Sequence, residues 1–138
     1  MSVVTKELHF DTKGEVDIRD ITENVNRALR ESEIEDGIVT IFVPGATGAV
    51  TTIEYEPGLL QDLPAALERL FPKGIEYEHE YRWHDGNGHS HVRASFLGPS
   101  LTVPFRNKTL MLGTWQQVVF VELDNKKRSR RVILQILG

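Results

Sequence analysis

Val118-Val119-Phe120-Val121 places four apolar residues in a row. Successive side chains of a strand point to opposite faces, so a run without alternation must be covered on both sides. Val132 to Leu137 is nearly as apolar and must likewise be paired and buried. Strands of this kind require a layered fold, in which a sheet carries a second sheet or helices on its faces. The 138 residues suit a single domain, residues 1–138, that buries roughly two-thirds of the surface of its unfolded chain. Apolar residues at 40% and charged residues at 26% supply an ordinary globular core and surface.

The remaining elements follow in order. Val3 to Phe10 alternates as a strand, with Val4, Leu8 and Phe10 on one face and Thr5, Glu7 and a solvated His9 on the other. Ile18, Ile21, Val25, Ala28 and Leu29 recur at helical spacing up to about Ser32, and Asp20 with Glu23 resembles a capping box. Ile38 to Val43 reads as a central strand that leads into the small-residue loop Pro44 to Ala49, and Val50 to Tyr55 as another strand. Between Pro57 and Phe71 a leucine stripe predicts helix, broken at Pro64, with Asp62 capping a fresh helix that stops before Pro72.

Tyr77 to Trp83 alternates as a strand that sets His79 on the face of Tyr77, Tyr81 and Trp83, and Val92 to Leu97 reads as a short helix stopped by Gly98. Leu101 to Phe105 and Leu110 to Leu123 read as strands, the latter holding Gly113-Thr114-Trp115-Gln116. Trp115 and Gln116 suit packing or a subunit interface. The fold class is therefore α+β, an antiparallel β-sandwich-like core flanked by two or three helices.

A net charge of −4 argues against nucleic acid as a partner, since sequence-independent binding needs cations against phosphates. The basic run Lys126 to Arg131 is the local exception and reads as a solvated hairpin turn. No cysteine is present, which excludes disulfides and thiolate metal sites. The start of the chain has no signal-like apolar segment, and no run is long enough to span a bilayer, so no membrane association and a cytoplasmic location are expected.

The stretch most in need of a functional explanation is His84 to Gly98, HDGNGHSHVRASFLG. His84, His89 and His91 offer imidazoles to a divalent metal such as zinc, and three protein ligands with an open fourth position is a catalytic arrangement. His89 and His91 would share one side of a strand but stand about 200° apart on a helix. They are expected at the start of the helix, before the backbone becomes helical, where the three imidazoles can meet. A glycine turn running into a helix N-terminus also attracts phosphate, and Arg93 could add a bidentate partner. Asp85 reads more simply as a turn residue, and Asp62 as a helix cap. Glu54 reads equally well as an outward strand residue or a functional group.

The segment GNGHSHVRASFLGPSLTVPF, with LMLGTWQQVVFVELD and the closing RRVILQILG, resembles the YjbQ family, whose members are often called secondary thiamine-phosphate synthases. The likeness extends over essentially the whole chain and is most specific from His84 to Gln116. It implies a β-sandwich-like homotrimer with a metal-binding histidine motif near a subunit boundary. It also implies the joining of a pyrimidine pyrophosphate to a thiazole phosphate, with zinc, or magnesium accompanying the pyrophosphate. The family motif falls on Asn87, His89 and His91, with Asn87 and Gly88 expected to touch the phosphorylated substrate and His84, His89 and His91 to hold metal. Glu54, Asp62 and Arg93 are the residues expected to take part in catalysis, but Gly45 stands where the family's loop carries a histidine. Metal-assisted hydrolysis of a phosphorylated metabolite, and a non-catalytic trimer binding a metal or small anion, are the alternatives.

Overall fold

The computed structural model describes every residue from Met1 to Gly138. The chain runs β1 (Val3–Asp11), β2 (Asp17–Asp20), α1 (Thr22–Ser32), β3 (Gly37–Phe42), β4 (Gly48–Ile53) and α2 (Pro57–Leu70). It continues through the single-turn α3 (Glu80–Trp83), α4 (Gly88–Leu97), β5 (Ser100–Arg106), β6 (Thr109–Leu110), β7 (Gln117–Glu122) and β8 (Ser129–Leu137). The strands form two antiparallel sheets, one in the order β1-β8-β3-β5-β6 and the other β2-β7-β4. This is the α+β sandwich expected from the sequence.

β7 explains the layering. Val118 and Phe120 join Val50 in facing the larger sheet, where Val39, Ile41, Val103, Val132, Leu134 and Ile136 meet them and α1 closes the layer with Val25, Ala28 and Leu29. Val119 and Val121 face the other way with Ile18, Ala49 and Leu123, against Leu67 of α2 and Ala94 of α4. Each such side chain stabilises the fold by about 1.5–3 kcal/mol on full burial. The unalternating run is thus the middle layer of three. The outer face of the larger sheet has no such cover, and Val3, Ile38 and Phe42 are exposed on it.

Several expectations are corrected. Ile18 lies in β2 opposite Val121, so the helix begins only at Thr22, whose N–H donates to Asp20. α2 is not broken at Pro64: it runs unbroken to Leu70, capped by Glu56 rather than Asp62, with the Glu56 carboxylate accepting from Gly58 and Leu59 N–H. The proline removes one backbone donor, but Leu60, Leu63 and Leu67 hold the helix against the smaller sheet on both sides of it. Tyr77 to Trp83 forms no strand, because Tyr77 is pinned by its hydroxyl to the Pro72 carbonyl and Glu80 to Trp83 coil into one helical turn.

The expected long strand from Leu110 to Leu123 is interrupted between β6 and β7. There Gly113 N–H donates to the Gln116 side chain, which in turn donates to Thr52. The turn after β7 is no hairpin either, since β7 and β8 belong to different sheets. Its basic residues are only partly solvated, because Arg128 and Arg130 reach back to Asp124 and Glu122, both without solvent exposure. No helix is long and apolar enough to cross a membrane.

Candidate functional site

α4 begins at Gly88, one residue after the buried Asn87, so His89 and His91 are both helical and point apart. That geometry separates the expected trio. His89 is fully buried, and its Nε2 lies 2.6 Å from Glu15, whose other oxygen binds Lys73. Its Nδ1 has no partner, and neither does the hydroxyl of Ser90. His84 ends α3 in a left-handed conformation at φ 53° and is exposed. His91 alone of the three meets another imidazole, that of His79, with ring centroids 4.4 Å apart.

His79 therefore takes the place expected of a neighbour in the motif. Its Nε2 is 3.2 Å from Asp85 Oδ1. Asn87 stands between this pair and Asp124. With its amide turned one way, the NH2 donates to Asp124 Oδ1 at 3.3 Å. Turned the other way, it donates to Asp85 Oδ1 at 2.7 Å and His79 Nε2 at 3.0 Å. The second orientation has the shorter contacts and is the better resting state of the uncomplexed side chain. No three histidine or carboxylate side chains are assembled here as a ready metal-binding group.

Electrostatics divide the cluster. Burial, then the neighbouring His79, pushes His91 below the ordinary imidazole value, outweighing the opposite pull of Asp85, Asp124 and Glu80. The ring is consequently neutral at pH 7, with a lone pair to offer. Burial acts to raise Asp124, but its Arg128 hydrogen bond and ion pair and the Asn125 N–H hold its carboxyl below the usual value. Arg128 Nε donates to Asp124 Oδ2 at 2.7 Å and Thr47 to the same oxygen at 3.2 Å.

The helix N-terminus expected to attract a phosphate is already occupied by the protein's own anion. Glu80 accepts from Gly86 N–H at 2.7 Å and from Gly88 N–H at 2.8 Å. Gly88 is also a packing residue, since a side chain there would collide with Tyr77. Arg93 is buried on the far side of α4, donating to the Phe71 carbonyl and to Glu68. Glu54 lines a separate cleft with Gly113, Thr114, Trp115 and Gln116, and Asp62 is exposed on α2. Neither joins the histidines. Trp115 is 72% exposed and so does not pack within the chain.

Gly45 does lie at the site. It shares a cleft with Ala46, Gly48, His91, Ala94, Ser95 and Pro99. A Cβ at Gly45 would touch only Arg130 Nη1, at 3.4 Å, so it is the backbone φ of 138° rather than crowding that disfavours the histidine the family resemblance expects here. Glu122, Asp124, Arg128 and Arg130 went unnoticed as a unit in the sequence. Their signal was present: two acids ending an apolar strand, answered at the same two-residue spacing by two arginines.

Fold and site together define a two-sheet α+β domain with a histidine, carboxylate and amide cluster where α4 meets the end of the smaller sheet. The chain belongs to the family described as UPF0047 protein YjbQ-like, whose model matches residues 6–138. A UPF0047 protein of Archaeoglobus fulgidus is 40% identical over 131 residues, 95% of this chain and 99% of that protein. The UPF0047 protein YugU of Bacillus subtilis is 32% identical over 135 residues, 96% of this chain and 98% of its own. Among solved structures, a YbjQ-like protein of unknown function from Sulfolobus solfataricus superposes with a TM-score of 0.93 at 32% identity, covering 99% of this chain and 98% of its own. An uncharacterised family member from Clostridium acetobutylicum gives a TM-score of 0.87 at 34% identity, covering 96% and 99%.

Proposed function

We propose that this protein acts on a small phosphorylated substrate beside a divalent cation, and that its reaction is the secondary thiamine-phosphate synthesis implied by the family resemblance. The observation that carries the cation is the convergence of the Asp85 carboxylate, the Asn87 amide and His79 Nε2. The Asn87 atom facing them can be its oxygen, and it then lies 2.7 Å from Asp85 Oδ1 and 3.0 Å from His79 Nε2. With its oxygen turned inward, Asn87 joins Asp85 Oδ1 and His79 Nε2 as three donors lying 2.7, 3.0 and 3.2 Å from one another, a set that an ion between them would draw together. In that orientation the Asn87 NH2 remains on Asp124. His79, Asp85 and Asn87 would hold the ion, and His91 is the neutral imidazole beside them.

In the proposed reaction the thiazole nitrogen supplies the electron pair for a new bond to the pyrimidine methylene carbon. The bond from that carbon to pyrophosphate oxygen breaks, and pyrophosphate leaves with the bonding pair. The cation would supply positive charge to the departing group. The chain's part is to fix both partners in line and to exclude competing water. His91, on the wall of the cleft with Gly45 and Ser95, is placed to donate a hydrogen bond to the substrate. A homotrimer belongs to the same reading, and the exposed Val3, Ile38 and Phe42 on the uncovered sheet support it.

The test is metal analysis of the purified protein together with rescue of a thiamine-requiring strain. Zinc or magnesium at one ion per chain, lost in both His79→Ala and Asp85→Ala along with rescue, and retained in His91→Ala without rescue, is the expected result. Phosphate release from phosphorylated metabolites without thiamine phosphate would replace the synthase with a hydrolase. Metal binding with neither activity would leave a non-catalytic binding protein.

A further inference from the structure

With Glu80 filling the N-terminus of α4 and Arg93 tied to Phe71 and Glu68, neither of the anion sites legible in the sequence is vacant. The loop across the cleft offers another. The backbone N–H groups of Gly45, Ala46 and Thr47 lie outside the regular elements and find no acceptor in the chain. Consecutive free N–H groups are a recurrent means of holding oxyanions.

Arg130 points into the same loop. Its side chain is only 10% exposed. Nε donates to Glu122 Oε1 at 2.7 Å, and Nη2 donates to Glu122 Oε2 at 2.5 Å and to Thr47 Oγ1 at 2.9 Å. Nη1 is left without a partner and faces Gly45, 3.4 Å from the Cβ position. Glu122 also accepts from Thr12 Oγ1 and Asp124 N–H, so its lone pairs are occupied and its effect is to fix the guanidinium plane. The cleft that Gly45 and Ala46 line on this loop, opposite His91 and Ser95, measures about 200 Å³. It accommodates a tetrahedral oxyanion.

We infer that Gly45, Ala46 and Thr47, through their N–H groups, and Arg130, through Nη1, form the subsite for the phosphoryl group of the substrate. This rests on the phosphorylated-substrate reading given above and assigns that group its place. Thr47 is the mechanical link to the cation cluster, because its hydroxyl donates to Asp124 while accepting from Arg130. Gly45, at φ 138° and without a side chain, leaves the approach open.

The experiment is an amide NMR titration of the whole protein with inorganic phosphate, in the absence and presence of zinc. Gly45, Ala46 and Thr47 amides and Arg130 Nε–H should shift together in the parent. Arg130→Lys, which keeps a cation for Glu122, should weaken binding at least tenfold. Ala46→Glu, at an exposed position away from the core, should abolish it with an unchanged thermal midpoint. Unmoved amides at 45–47, or an unaltered response in Ala46→Glu, would overturn the subsite even if zinc still shifts His91 and thiamine rescue succeeds. Phosphate binding at these amides without zinc uptake or rescue would uphold the subsite and remove the synthase reading.

Discussion

Arg130 grips Glu122 through two roughly parallel hydrogen bonds, Nε to Oε1 at 2.7 Å and Nη2 to Oε2 at 2.5 Å, with the carboxylate wholly out of solvent. Removing one partner of such a pair leaves the other charge buried and unpaired. Arg130→Met should therefore destabilise the protein by about 3–5 kcal/mol, read from the urea midpoint. The double variant Arg130→Met with Glu122→Met should recover most of that loss. A single variant as stable as the parent would show that the carboxylate reaches water in solution.

His89 and His91 should respond oppositely to truncation. His89 is a buried structural side chain joining α4 to Glu15, so His89→Ala should lower stability by about 2–4 kcal/mol through cavity formation and the loss of a buried hydrogen bond. His91→Ala, at a half-exposed position on the cleft, should cost under about 1 kcal/mol yet abolish thiamine rescue with the metal still bound. Thermal denaturation paired with metal analysis and the rescue assay checks both. Metal loss confined to His89→Ala would reverse the assignment.

Acid should unfold the protein partly through Asp124 and Glu15. For both, burial acts to raise the pKa but is outweighed: by Arg128 and the Asn125 N–H for Asp124, and by Lys73 and His89 for Glu15. Their folded values lie below the ordinary 3.8 and 4.5. The unfolded chain then takes up these protons first, so the stabilisation is complete above the ordinary values and disappears as pH falls through the folded ones. Asp124→Asn and Glu15→Gln should each flatten the slope of stability against pH below about 4.5. Denaturant midpoints between pH 3 and 6 measure it, and an unchanged slope in both variants would exclude these two groups.

Gly88→Ala tests whether the glycine of the motif serves packing. A Cβ there meets the Tyr77 Cβ and ring, and overpacking of this kind costs about 1–3 kcal/mol. The variant should lose stability while keeping phosphate affinity within threefold, since Glu80 rather than a ligand holds the Gly88 N–H. A selective loss of phosphate binding at unchanged stability would return Gly88 to the substrate site.

Local pattern made the sandwich readable, because burial on both faces leaves its mark residue by residue on β7, whereas the equally apolar β8 buries only the face that carries Val132, Leu134 and Ile136. Elements decided by distant partners were less legible. Ile18 fits a helical spacing, yet pairing with Val121 draws it into β2. Tyr77 to Trp83 alternates like a strand, yet Glu80 is needed to fill the start of α4. The site shows the same division. The motif pointed to α4, and Asn87 and His91 do lie on the cluster that α4 forms with His79, Asp85 and Asp124. Chain proximity could not reveal that His89 turns away toward Glu15, that His79 comes in to meet His91, or that the basic turn supplies two inward-facing arginines. Those contacts depend on how separate layers are stacked.

The pairing of β1 with β8 makes assembly of the fold wait for its last strand. Thr5 hydrogen-bonds Gln135 across 130 positions of sequence, and β3 takes its other neighbour from the same strand. Contacts so distant fold slowly, in milliseconds to seconds. Until Ser129 to Leu137 leaves the ribosome, β1 and β3 keep unpaired edges that invite association with other chains. Over the same interval Glu122 and Asp124 lack Arg130 and Arg128, so a nascent chain halted before that strand should be a client for chaperones rather than a binder of any ligand.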